Sequence, residues 1–88
     1  MMDKEKDNVK RQEFMMAFGR NLKRLRQERG WTQEHLSIIV QIDDKYVHDL
    51  ETGKKCASSW LAKKLAVAFE VTMDELTATV TGEAPKTL

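Results

Sequence analysis

Residues 32–53 read T-Q-E-H-L-S-I-I-V-Q-I-D-D-K-Y-V-H-D-L-E-T-G. Their apolar spacing fits two short helices joined by a tight turn. Leu36 and Val40 are four apart and share one face of the first helix; Val47 and Leu50 are three apart and share a face of the second. Ile42 lies between them, where a short connection turns the chain inward. Ser37 is small, so the second helix can approach the first closely.

The ends of both helices carry start and stop signals. The Thr32 hydroxyl can cap the first, with Trp31 packing on Leu36 as a hydrophobic staple. Asp43 can cap the second, stapled by Ile42 and Val47. Gly53 then supplies a left-handed residue that stops it. Gln41 occupies the turn, where positive φ is usual and where a Gln is strained by roughly 1 kcal/mol. Together these features predict a helix-turn-helix at about 32–51, a unit whose second helix suits the DNA major groove.

Further pieces outside this stretch strengthen the reading. F-G-R-N-L-K-R-L-R-Q-E-R-G-W-T-Q-E-H-L precedes and overlaps it, Y-V-H-D-L-E-T-G-K closes it, and L-A-V-A-F-E-V-T-M-D-E-L follows. With these three pieces in this order, the segment 18–76 resembles the phage-repressor-type (Xre/Cro) helix-turn-helix transcriptional regulators. The resemblance implies an all-α, compact five-helix bundle of the phage-repressor DNA-binding type that binds operator DNA as a homodimer. It also implies that Arg26 reaches Glu51 in a structural salt bridge, and that Gln33 bonds a phosphate.

Residues 1–13 hold four basic and four acidic residues. They read as a charged N-terminal arm, partly helical. Such arms can wrap DNA, but a neutral one is more simply a solubilising extension. The helix-turn-helix domain is expected over 14–78. Its first helix, 14–29, carries an apolar stripe of Met15, Phe18, Leu22 and Leu25 and ends at Gly30. Arg20, Lys23, Arg24 and Arg29 lie off that stripe and read as a solvated face. Ser58 or Ser59 caps a fourth helix from Trp60 to Phe69, with Leu61, Leu65 and Phe69 toward the core and Trp60 at the core edge. Thr72-Met73-Asp74-Glu75 is a capping box that opens a short fifth helix ending near Ala78, where the resemblance implies the dimer contact. Residues 79–88 read as a flexible tail.

The chain of 88 residues is 41% hydrophobic and 33% charged, which suits one small folded domain and excludes a wholly disordered one. No apolar run reaches the ~20 residues of a membrane span. The first residues have no apolar stretch typical of a secretory signal, and Cys56 is alone; a cytoplasmic setting is expected. His35, His48 and Cys56 match no zinc spacing, and the glycines form no phosphate loop. The sequence thus reads as non-enzymatic, with no metal or cofactor.

Charge is unevenly spread along the chain. Residues 14–30 carry five basic and one acidic residue, 31–53 one basic and five acidic, and 54–69 four basic and none acidic. The helix-turn-helix is therefore the acidic block between two basic ones. Thr32, Gln33, Thr52, Lys54 and Lys55 are the candidate phosphate contacts, and Asp44, Lys45, Tyr46, His48 and Asp49 the candidate base readers. The usual readers of the resembling family are Gln, Arg, Ser or Asn, so Asp44 and Asp49 depart from it. Two functional classes follow: a regulator that binds double-stranded DNA at an inverted-repeat operator, or a module of the same fold that docks a protein partner through Ile38 and Ile39.

Overall fold

A computed structural model describes the backbone of residues 4–78, with side chains from Val9 onward. The expected tail at 79–88 lies outside the described residues. Five helices form: α1 (Lys4–Glu28), α2 (Gln33–Val40), α3 (Asp44–Glu51), α4 (Ser59–Phe69) and α5 (Met73–Thr77). The described fold is all-α, as the resemblance implies, and no helix among the described residues is long and apolar enough to cross a membrane.

The caps explain the element boundaries. Thr32 accepts from the His35 N–H at 3.0 Å, Ser58 from Leu61 at 3.1 Å and Thr72 from Glu75 at 3.0 Å. Each removes one of the unpaired donors that open a helix. Asp43 corrects an expectation. It stands at the start of α3, but its side chain makes no cap bond. Its carboxylate stays at an exposed position and only its carbonyl serves the helix, accepting from Tyr46 and Val47.

Gln41 ends α2 in the left-handed conformation, with φ 61°. Its N–H bonds the Ser37 carbonyl, which holds the turn shut. Gln41→Gly is therefore expected to raise stability by about 0.5–1 kcal/mol, the relief of ~1–2 kcal/mol of steric cost less the extra chain entropy of glycine. Urea unfolding of the two proteins measures it. A loss of stability would mean that the turn tolerates Gln without strain.

The core forms where the five helices meet. Phe69, Leu22, Leu36, Leu50, Leu65, Leu76, Val40 and Val47 are fully buried. α1 packs on α3 and α5, α2 on α3 and α4, and α4 on α5. Trp31 stacks on Phe69 with ring centroids 5.6 Å apart, closing the core beside the start of α2. Arg29 leaves the solvated face expected for it. Its guanidinium lies 5.1 Å from the centre of the Phe69 ring and donates to the Leu25 and Phe69 carbonyls, so it ties α1 to the end of α4. Asn21 does similar work on the opposite side. Its buried amide donates to the carbonyls of Leu76 at 3.0 Å and Ala78 at 2.7 Å, fastening the end of α5. An Asn inside a helical pattern gives no sign of this in sequence, because its partners are backbone atoms.

Trp60 is the largest departure from expectation: it is 73% exposed, not at the core edge. Leu61, Leu65, Phe69, Ala62 and Ala66 fill the core side of α4. Trp60 falls on another face, in line with Lys63, Lys64 and Val67 at helical steps of three, four and seven.

Candidate nucleic-acid interface

α3 has two unlike sides. Val47 and Leu50 are fully buried, while Asp44, Lys45, His48 and Thr52 face solvent. Positions 44, 48 and 52 follow one another at four-residue steps, and Lys45 lies beside them, so the exposed side is one continuous polar strip. Tyr46 is half-buried at its edge, against the core.

Asp49 does not belong to that strip. Expected on the outer face, it is only 7% exposed. The reason lies in the chain that follows. Gly53 has φ +77°, and beyond it the Lys54 and Lys55 N–H groups fold back onto the Asp49 carbonyl at 2.8 and 3.3 Å. The Lys55 ammonium then stands 3.8 Å from the Asp49 carboxylate and 5.4 Å from the Tyr46 ring centre. Asp49 thus lies under Lys55 at the base of the helix, in a long pair that leaves the ammonium largely exposed, and Asp44 alone keeps a carboxylate on the exposed strip.

Glu51 anchors the other end of α3. Arg26 grips it with two parallel bonds, Nε to Oε2 at 2.6 Å and Nη2 to Oε1 at 3.1 Å. The side chains are only 11% and 2% exposed, so water screens the pair little. Arg26 also donates from Nη1 to the Trp31 carbonyl at 2.7 Å, which fixes the segment leading into α2. Gln33 completes the cluster by donating its amide to Glu51 Oε1 at 3.0 Å. One carboxylate therefore orients α1, the start of α2 and the end of α3 together. An amide nitrogen carries two protons, so Gln33 retains a second N–H for another acceptor.

The remaining candidates fall around this frame. Thr32 is exposed, but its hydroxyl oxygen caps α2. The Thr52 hydroxyl donates to the His48 carbonyl at 2.9 Å, so its proton is already used within the helix. Lys54 and Lys55 are exposed just beyond α3. The strip of α3, the start of α2 and the two lysines thus provide donors and cations around one short helix, the arrangement by which a helix is set into a groove by its phosphates and reads bases with its face.

On a different surface, Ile39, Trp60 and Val67 line an apolar groove of about 340 Å³ flanked by Lys63 and Lys64. Ile38, next to Ile39 in the chain, is 68% exposed.

The helix-turn-helix domain family matches the chain over residues 17–80. Among solved structures, the chain is similar to the restriction-modification controller protein C.AhdI from Aeromonas hydrophila. The two are 34% identical with a TM-score of 0.67, over 70% of this chain and 94% of that one. No protein of curated function matches the chain.

Proposed function

Because this chain belongs to the helix-turn-helix family, of the phage-repressor (Xre/Cro) type, and is a DNA-binding transcription regulator, we propose that it acts as a homodimer on an inverted-repeat operator, with α3 in the major groove. The observation that carries this reading is the two-sided α3: a fully buried apolar side that fixes it to the domain and a polar strip free to meet base edges. Asp44, Lys45 and His48, flanked by Tyr46, are the proposed base readers. Gln33, Lys54 and Lys55 are the proposed phosphate contacts, with Thr32 holding the start of α2 and Thr52 the end of α3.

A single recognition helix of eight residues reads few base pairs. A two-fold dimer doubles that number, with half-sites about one helical turn, ~34 Å, apart. Lys45 suits guanine N7 and O6, and Asp44 suits a cytosine amino group, so the half-site is expected to be rich in G·C pairs. Asp44 also opposes indiscriminate attraction to phosphate. C.AhdI is a restriction–modification controller, which makes the promoter of a restriction–modification gene pair the first natural operator to try.

The test is selection from a random-sequence duplex pool at low and moderate salt. Enrichment of a two-fold-symmetric, G·C-containing motif supports the reading; a motif of A·T pairs alone overturns the roles given to Asp44 and Lys45. Replacing Lys54 and Lys55 by Ala together is expected to weaken binding to every sequence and to flatten the slope of log affinity against log salt by about 1.8, or ~0.9 per lost phosphate contact.

A second reading is favoured by the exposure of Ile38 and Ile39, the latter lining a groove with Trp60. In it the domain docks a protein partner, and Ile38→Glu or Ile39→Glu abolishes activity while the lysine pair is dispensable. Retained regulation in both Ile variants removes that alternative.

A further inference from the structure

The family match begins at residue 17, but α1 starts well before it, at Lys4. Two close approaches fix where this added length runs. At Gly19 the axis of α1 crosses the end of α3 so tightly that a Cβ would stand 2.5 Å from the Leu50 carbonyl oxygen. One turn earlier, Met16 covers Gly53: a Cβ on Gly53 would stand 3.0 Å from Met16 Cγ and 3.4 Å from its Cα. α1 therefore passes over the turn that follows α3, and its next turn back projects beyond it. There Arg11, Gln12 and Met15 face Thr52 and Lys54 across an open cleft of about 650 Å³.

The chemistry of this cleft is one-sided. Among the described residues, two cations line it and no carboxylate does. Arg11 and Lys54 are both exposed, and neither has an ion-pair partner among the described side chains. The floor is thioether and methylene, from Met15 and Met16. Two like charges beside an apolar floor gain most from an anion between them. A guanidinium offers a planar fork of donors matched to phosphate oxygens, and an ammonium adds a point charge. The cleft also adjoins the end of the helix whose exposed strip faces the bases.

We propose that the Arg11–Lys54 cleft holds a backbone phosphate of the DNA flanking the half-site, so that the N-terminal extension of α1 lengthens the footprint of the recognition unit. The proposal rests on the DNA-binding reading above and adds Arg11, which lies outside the family match. A phosphodiester reaches the cleft as part of a duplex already held at α2 and α3, whereas a free phosphate would have only two mobile side chains to hold it. The contact is to backbone and carries no base information.

The experiment uses the full chain with Arg11→Gln, Arg11→Lys and Lys54→Ala, a duplex enriched from the random pool, and an unrelated mixed-sequence duplex, each titrated across salt. Arg11→Gln is expected to weaken both duplexes by about tenfold and to flatten the salt slope by about 0.9, with thermal unfolding and the selected motif unchanged. Arg11→Lys restores the slope but only part of the affinity, because the fork is lost. Wild-type affinity and slope in Arg11→Gln, alongside weakened binding in Lys54→Ala, overturn the cleft and leave the DNA-binding reading standing. A changed motif with an unchanged slope assigns Arg11 to bases and overturns the phosphate role. Salt-insensitive binding, or none, by the wild-type chain removes both proposals.

Discussion

Glu51→Ala should lower the free energy of unfolding by about 3–5 kcal/mol, a large share of what a small domain possesses. The loss would not be that of one ordinary hydrogen bond. The substitution leaves the Arg26 guanidinium buried at the junction of three helices with only the Trp31 carbonyl as partner. It also removes the acceptor that holds Gln33. The double variant Arg26→Met/Glu51→Leu tests the cause. If the penalty is an uncompensated charge, replacing both partners by apolar side chains of similar size should recover most of the stability. Urea unfolding measures both variants. A loss below ~1 kcal/mol for Glu51→Ala would put the pair among screened surface bridges and deny it a clamping role. Since Gln33 loses its orientation as well, DNA binding by the double variant should stay impaired after its stability returns, which separates the two duties of Glu51.

Gly19→Ala is the second large effect, and its sign opposes helix propensity. In the interior of an isolated helix, Ala is favoured over Gly by about 1 kcal/mol. Here the added Cβ would meet the Leu50 oxygen at 2.5 Å, the Glu51 oxygen at 2.6 Å and the Glu51 carbonyl carbon at 2.8 Å. All three are backbone atoms, so no side-chain rotation relieves the clash. α1 and α3 must separate, and Val47 and Leu50 lose close packing with them. A net loss of about 3 kcal/mol is expected, at the upper end for overpacking. Gly30→Ala is the natural comparison. Nothing lies within 4 Å of its Cβ position, and only the φ of +70° resists the change, so it should cost about 1 kcal/mol. Equal losses at the two positions would place the difficulty in backbone conformation and leave the contact of α1 with α3 ordinary.

Local signals made most of this fold readable in the sequence. Thr32, Ser58 and Thr72 announce helix starts because their hydroxyls act within three residues. Leu36 with Val40, and Val47 with Leu50, mark buried faces because helical spacing is itself local. What stayed hidden depends on how the chain returns on itself. Asp49 looks like a surface residue until the turn at Gly53 lays Lys54 and Lys55 across it. Arg29 looks like part of a solvated face until the carbonyl of Phe69 arrives from far along the chain, and nothing local marks Asn21 as the partner of the Leu76 carbonyl. Trp60 misled in the other direction: its apolar character suggested the core edge, but five neighbours on α4 already fill the core side. The exposure of Lys45 and His48 was legible from position along a helix, and that of Lys54 and Lys55 from their place just past one. Nothing local brings Arg11 beside Lys54; that placement depends on where the axis of α1 leads.

The two tryptophans are a pair of built-in optical probes of opposite character. Trp31 is stacked on Phe69, whereas Trp60 stands in solvent, and the chain has no third. Their emission should separate into a blue-shifted part from Trp31 and a red-shifted part from Trp60, and an aqueous quencher such as iodide should reach chiefly the second. Denaturant moves the first part and so reports folding. Any molecule that covers α4, another copy of the chain included, shields the second and reports association. One unlabelled sample can therefore show whether the domain is folded and, separately, whether that face is covered.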